Sequence, residues 1–271
     1  MTQETFSQRL RGDDALFGTL VISEAAFWPA MIASCGVDFV FIDMEHIPLE
    51  RPQVAAMCQL YKGVNLPSLV RIPSPQPFLA RKMLDAGAAG IIAPYIETLS
   101  QVEGLIGAVK KRPLQGQALK RAQSEDFYQS DQIRTYVESN NAAHSLILNI
   151  ESMAAVENLE RIISYDEVDA ILIGPHDLSC SLGIPEQYEH PRFIETVTHI
   201  IETARKSGKG AGYHKGYPGS GIEFEKNLIH AGMNLVIHEA DILVVQHHLA
   251  DEIAFLKGCG DSERARKMKS Y

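Results

Sequence analysis

Several features that would settle the class of a protein at once are missing from this chain. Four cysteines, Cys35, Cys58, Cys180 and Cys259, lie far apart, and none forms a CxxC pair. That spacing argues against a disulfide frame and reads as reduced thiols in a cytosolic protein. Basic residues are the minority, 25 against 34 acidic, for a formal charge of −9. A nucleic-acid partner normally favours a basic face, so none is expected. No run approaches the roughly 18 apolar residues of a membrane span. The polar start MTQETFSQRLRGDD lacks the apolar stretch of a signal peptide. A soluble, cytoplasmic protein without membrane partners is expected. No low-complexity tract occurs, and no GxGxxG follows an early apolar run, which counts against an open dinucleotide-binding sheet.

What the chain does have is rhythm. Hydrophobic residues make up 45% of the 271 positions, ample for a core. Short apolar runs stand at 16–22, 37–44, 67–72, 89–94, 144–150, 169–174, 208–213 and 234–238. Most are continuously apolar, as parallel strands covered on both faces must be. Between them lie amphipathic patterns such as RPQVAAMCQLY and SQVEGLIGAVKK. Eight such units predict an α/β fold, a closed parallel (β/α)8 TIM barrel forming a single domain over 1–271. Residues 112–125, with Pro and Gly and no apolar period, read as a long loop, and 261–271 as a polar C-terminal tail.

In such a barrel, polar groups at the carboxyl ends of the strands converge on one mouth. The second run ends in Asp43, Glu45 and His46, and the third in Arg71. The fifth ends in Asn149 and Glu151, the sixth runs into His176 and Asp177, and the last two end near His214 and His238. Taken singly, each has a structural use. Glu151 opens a helix, where a carboxylate meets the dipole favourably. Asp177 is placed to cap a short helix, and Arg71 to pair with a carboxylate. The four histidines read as satisfied loop side chains, and Met57 and Met83 as core. Together they describe more. Two carboxylates from adjacent strand ends, completed by water, suit Mg²⁺ or Mn²⁺ better than zinc. Arg71 offers a planar fork to an oxyanion, and His46, oriented by Asp43, a base near neutral pH. Metal, arginine and base together suit the making of an enolate. No lysine stands where a Schiff-base mechanism would need it.

Four stretches, DFVFIDMEHIP, LVRIPSPQPFLARKMLDAGAAGIIAPYIET, LILNIESMAAVENLERII and VDAILIGPHDLSCSLG, occur in an order and spacing that resemble one family. It is the class II (metal-dependent) 2-keto-3-deoxy acid aldolases, including 4-hydroxy-2-oxoheptanedioate and 2-keto-3-deoxy-L-rhamnonate aldolases, within the citrate-lyase-related superfamily. The resemblance implies an aldolase that cleaves a 4-hydroxy-2-oxo acid to pyruvate and an aldehyde, assembled as a homo-oligomer, a hexamer or trimer. It implies that Glu151 and Asp177 bind a divalent ion, Mg²⁺ or Mn²⁺, with Co²⁺ a third candidate. Arg71 would neutralise the enolate oxygen, and His46, held by Asp43, would relay protons. Asn149 and the segment Gly174, Pro175 and His176 would contact substrate, and Asp85 would reach a neighbouring subunit's site. The chain departs from the family pattern at Ile47, where a glycine is usual, and at Asn149, where a glutamine is usual. A Gly-x-Arg-Gly turn is replaced by GQALKRA, so the aldehyde side of the pocket is expected to differ.

Two other functions are compatible with the same residues. A thioester lyase would need basic contacts at the mouth, for which Lys110, Lys111, Arg112, Lys120 and Arg121 are the available source. A non-catalytic barrel that binds a keto acid is the second; the intact polar set argues against it.

Overall fold

The computed structural model describes residues 4–215 and 222–268, with side chains through residue 258. Eight strands close into a barrel in chain order: β1 (Leu16–Leu20), β2 (Phe39–Asp43), β3 (Ser68–Arg71), β4 (Gly90–Ala93), β5 (Ser145–Ile150), β6 (Ala170–Ile173), β7 (Gly210–His214) and β8 (Leu235–Ala240). Neighbours pair in parallel, and β8 returns to β1. The (β/α)8 expectation holds, with most strands a residue or two shorter than the apolar runs that announce them. Helices connect the strands on the outside, among them Arg51–Gly63, Pro77–Ala86, Leu99–Val109 and Pro191–Lys206.

Why the runs are continuously apolar is visible in their two destinations. On β2, Val40 and Ile42 face outward into the layer between strands and helices, while Phe39 and Phe41 fill the barrel interior. On β5, Leu146 and Leu148 go out and Ile147 goes in. A strand buried on both sides has no solvent face on which to place polar residues. The interior is crowded enough that a Cβ on Gly18 would lie 2.5 Å from the Phe39 ring. The outer layer follows helical spacing: Phe193, Val197, Ile200, Ile201 and Ala204 form the buried face of Pro191–Lys206. Burying each large side chain there contributes about 2 kcal/mol. Phe6 and Leu10, on the helix Phe6–Arg11, close the amino end of the barrel.

The seam between β8 and β1 is reinforced by one side chain. Asp241 accepts hydrogen bonds from Ile22 N, Ser23 N and Trp28 Nε1 at 2.7–3.1 Å.

Two expectations about irregular segments change. Residues 112–125 are not a loop, because Gly116–Ser124 is a helix. It lies on the outside of Leu99–Val109, where a Cβ on Gly107 would meet Leu119 at 3.2 Å, and only Ala122 is fully buried. With Leu119 and Ala122 its main inward contacts, the apolar period is too short to be recognised in the sequence. The polar tail is likewise helical to residue 268, as the end of Asp241–Met268; residues 269–271 and the side chain of Cys259 lie outside the described set. Residues 244–258 of this helix are all exposed, including Val244, Val245, Leu249, Ile253, Phe255 and Leu256.

Candidate active site

The alternation that sends Phe39 and Phe41 inward also sends Asp43 inward at the carboxyl end of β2. The same parity brings Arg71, Asn149 and His214 to the mouth, from β3, β5 and β7. The β2–β3 register sets Asp43 directly beside Arg71. Arg71 Nε donates to Asp43 Oδ1 at 2.8 Å and Nη2 to Asp43 Oδ2 at 2.7 Å. Burial alone would raise the Asp43 carboxyl, but the arginine hydrogen bonds and charge overcome it and hold it below its ordinary value. The third nitrogen, Nη1, donates to no described protein group.

Asp43 is therefore not the partner of His46. Both its oxygens serve Arg71, and Oδ1 also accepts Glu45 N at 2.9 Å. The carboxylate beside His46 is that of Glu45, whose Oε2 lies 3.7 Å from His46 Nε2 and 3.1 Å from Arg71 Nε. That arginine hydrogen is directed at Asp43, so Glu45 Oε2 accepts no hydrogen bond. The Glu45 side chain is 8% exposed. Burial pushes its carboxyl up to about 7, aided by Glu151, Asp43 and Asp177 and opposed by Arg71. His46 itself is open to solvent. A cavity of about 420 Å³ beside it is lined by Glu45, Ile47, Leu49 and Leu79.

Across the mouth, Glu151 and Asp177 come from the ends of β5 and β6. Neither is the N-cap of the helix it stands beside. Ser152 caps the helix after Glu151, accepting from Ala155 N, and the N-cap of Pro175–Ser181 is Gly174, with Asp177 inside the first turn. Both carboxylates bind Tyr95 instead. Tyr95 N donates to Glu151 Oε1 at 2.8 Å, and its hydroxyl to Asp177 Oδ1 at 3.2 Å. Burial, the Asp177 charge and that hydrogen bond push the phenol up to about 12. Asn149 Nδ2 donates to Glu151 Oε2 at 3.2 Å, while Asn149 Oδ1 is buried without a partner. Burial raises the Glu151 carboxyl, against the lowering effects of Tyr95 N–H, Arg71 and Asn149. A Cβ on Gly174 would lie 2.2 Å from Glu151 Oε2, so only glycine leaves that oxygen its place.

These residues fit a hard divalent cation. Glu151 is buried and driven toward its neutral form, with Asp177 adding to the repulsion; a cation between them relieves both. The donors are oxygens, with no thiol or imidazole among them. Among the described residues no group of three His, Cys, Asp or Glu side chains is placed to hold a metal ion, so Glu151 and Asp177 would be its two carboxylate ligands.

Of the remaining predicted residues, His214 stays inside the barrel beside Phe41, and the others make none of these contacts. His176 is exposed, 3.7 Å from Glu186. Asp85, at the end of its helix far from the mouth, pairs with Arg112. Lys110 binds Asp169 at 2.6 Å and Lys111 binds Glu167 at 3.0 Å, both just before β6 and so at the amino end. His214 is buried edge-on against Phe41, 4.9 Å between centroids. Burial and Arg71 push it down to about 3, a neutral imidazole. His238 faces Glu225 at 3.1 Å outside the barrel, as does the Lys215 ammonium at 3.9 Å. Sequence reasoning missed Tyr95 and left Glu45 without a role. The available signal for Tyr95 was a tyrosine immediately after a strand, in AAGIIAPYIE.

Residues 22–211 match the HpcH/HpaI aldolase/citrate lyase family. The chain is 30% identical to the hydroxypyruvate/pyruvate aldolase of Roseobacter denitrificans over 210 residues, 77% of this chain and 81% of that one. It is 26% identical to the 2-keto-3-deoxy-L-rhamnonate aldolase of Salmonella gallinarum over 262 residues, 97% and 96% of the two chains. A crystal structure of an HpcH/HpaI aldolase/citrate lyase family protein from Burkholderia cenocepacia superposes with a TM-score of 0.78 at 27% identity, covering 93% of this chain and 98% of that one. With this barrel and this mouth, the chain belongs to the HpcH/HpaI aldolase/citrate lyase family and is a carbon–carbon lyase.

Proposed function

We propose that the protein is a class II aldolase that cleaves a 4-hydroxy-2-oxo acid to pyruvate and an aldehyde. The observation that carries this reading is the pairing, across one mouth, of two carboxylates on Tyr95 with an Arg71 whose Nη1 is unspent. Glu151 and Asp177 would hold a divalent cation, Mg²⁺ or Mn²⁺, which when bound supplies a Lewis acid for the keto group. Arg71 places positive charge where negative charge develops on the substrate oxygen. Its guanidinium is fixed by Asp43, so it need not reorganise as that charge forms.

His46 removes the proton from the 4-hydroxyl as the carbon–carbon bond breaks, and the electron pair becomes the enolate of pyruvate. Protonation of the enolate carbon completes turnover. Glu45, beside His46 and raised toward neutrality, receives or returns that proton. Asn149 Oδ1, buried and unpartnered beside Glu151, is available as an acceptor for substrate. The cavity next to His46 is lined by Ile47, Leu49 and Leu79 together with Glu50 and Arg51, which suits an aldehyde carrying both an apolar portion and a polar or charged group. In the same reading Asp85 would reach a neighbouring subunit's site, and the exposed apolar residues of Asp241–Met268 support a homo-oligomer. The thioester alternative is the weaker reading, since three of its five basic residues, Lys110, Lys111 and Arg112, are paired with Asp169, Glu167 and Asp85.

The test is deuterium exchange into the pyruvate methyl group, followed by NMR with and without Mg²⁺ or Mn²⁺. Metal-dependent exchange is expected; its absence at high enzyme concentration sinks the aldolase reading. A screen of aldehydes then identifies the partner.

A further inference from the structure

Among the described residues Tyr95 is the one aromatic of four non-glycine positions with positive φ, the others being Asn65, Asp126 and Glu186. Its φ is 50°, a left-handed conformation that a bulky side chain seldom adopts. Strain of this kind persists where the surroundings fix it, and it gathers at ligand clamps. Here the twist has two results. It turns the backbone N–H onto Glu151 Oε1, 2.8 Å away, and it brings the side chain back over the mouth so that the hydroxyl reaches Asp177 Oδ1 at 3.2 Å. The two bonds span 56 and 82 residues of sequence and end on carboxylates of two different strand ends. Tyr95 thus links β4 to both of them, while its ring stays 45% exposed at the opening.

A structural role would not require this arrangement. The neighbouring helices are capped by Ser152 and Gly174 without help from Tyr95. A half-exposed hydroxyl hydrogen bond between two side chains adds little stability. What it does is fix the direction of one oxygen of Asp177, leaving the other for a ligand, while the N–H fixes Glu151 Oε1 and Asn149 Nδ2 holds Oε2. We propose that Tyr95 is a positioning residue for the divalent cation, its backbone and its hydroxyl orienting the two carboxylates toward one point. This rests on the assignment of Glu151 and Asp177 as cation ligands. Hydrogen-bond partners that orient metal ligands commonly set affinity by about 10- to 100-fold.

The experiment measures Mn²⁺ binding to the metal-free protein without substrate, by the loss of the free-ion EPR signal on titration. Wild type, Tyr95→Phe and Glu151→Gln are compared, with thermal unfolding of each metal-free protein alongside. Expected are binding by wild type, its loss in Glu151→Gln, and about 10-fold weaker binding in Tyr95→Phe with an unchanged melting temperature. If wild type does not bind Mn²⁺, or Glu151→Gln binds as well as wild type, the ligand assignment falls and the Tyr95 role with it. If Glu151→Gln loses binding while Tyr95→Phe stays within twofold of wild type, the assignment stands and the Tyr95 role is overturned. A lowered melting temperature in Tyr95→Phe with unchanged affinity likewise overturns it, in favour of a structural link.

Discussion

Replacing Glu45 with Gln keeps the shape of a side chain that is 8% exposed and removes its charge. Burial raises this carboxyl from 4.5 to about 7. A group whose folded value lies above its unfolded one stabilises the fold fully below pH 4.5 and loses that contribution as pH rises through about 7. At about 1.4 kcal/mol per pH unit the full effect is about 3 kcal/mol, most of it lost between about pH 5 and about pH 8. Glutamine does not titrate. The stability of metal-free wild type minus that of Glu45→Gln should therefore fall by about 3 kcal/mol across that range, wild type being the relatively weaker protein at the alkaline end. Urea unfolding at fixed ionic strength in the presence of a chelator reads this directly, and the subtraction cancels groups common to both proteins. Adding Mg²⁺ should shrink the effect, because a cation on Glu151 and Asp177 removes the repulsion they exert on Glu45. A difference that holds constant within about 0.5 kcal/mol from acid to alkaline pH would refute a buried carboxyl at 45 that the arginine leaves uncompensated.

Three further outcomes follow from the same geometry. Asp43→Ala leaves Arg71 buried beside a Glu45 that accepts none of its hydrogens, and should cost about 3 kcal/mol in urea unfolding; a loss below about 1 kcal/mol would show the pair to be dispensable. His46→Ala removes an exposed ring without a close hydrogen bond, so its unfolding midpoint should match wild type while pyruvate exchange slows by about 100-fold or more. Retained exchange in a folded variant would assign the base elsewhere. Gly174→Ala forces a Cβ to within 2.2 Å of Glu151 Oε2, and calorimetry should find Mn²⁺ affinity reduced by about 10-fold or more. Unchanged affinity would mean that this oxygen is not a ligand.

The barrel was legible because strands covered on both faces leave continuous apolar runs, and eight of them with helices between admit few closed architectures. The mouth was legible for a related reason: once 39, 41 and 43 share one side of β2, a charge at 43 has nowhere to go but the opening. Pairings were less accessible. Asp43 stands three residues before His46 and next to Arg71 only through the β2–β3 register, so proximity in the chain pointed to the wrong partner. Glu45 takes its character from burial and from three carboxylates, of which only Asp43 is in the stretch FIDMEH, while Glu151 and Asp177 come from other strand ends. Tyr95 depends on a backbone turn at a single residue, for which an aromatic side chain is a poor signal. The helix Gly116–Ser124 is only nine residues long and turns Leu119 and Ala122 toward its neighbours, too short an apolar spacing to stand out beside Pro113 and Gly116.

The proposed chemistry occupies β2 through β6, five consecutive strands, whereas the ring is joined through Asp241 to Ile22, 219 residues earlier. During synthesis the residues of the mouth can therefore assemble on a growing open sheet well before the last strand leaves the ribosome. Until it does, β1 and the newest strand both present unpaired backbone N–H and C=O groups, the surface on which chains join one another. Closing a loop of that length is slow for entropic reasons. Asp241 holds three donors at the moment of closure, and so locks the ring at the step when a nascent copy is most exposed to pairing with its neighbour.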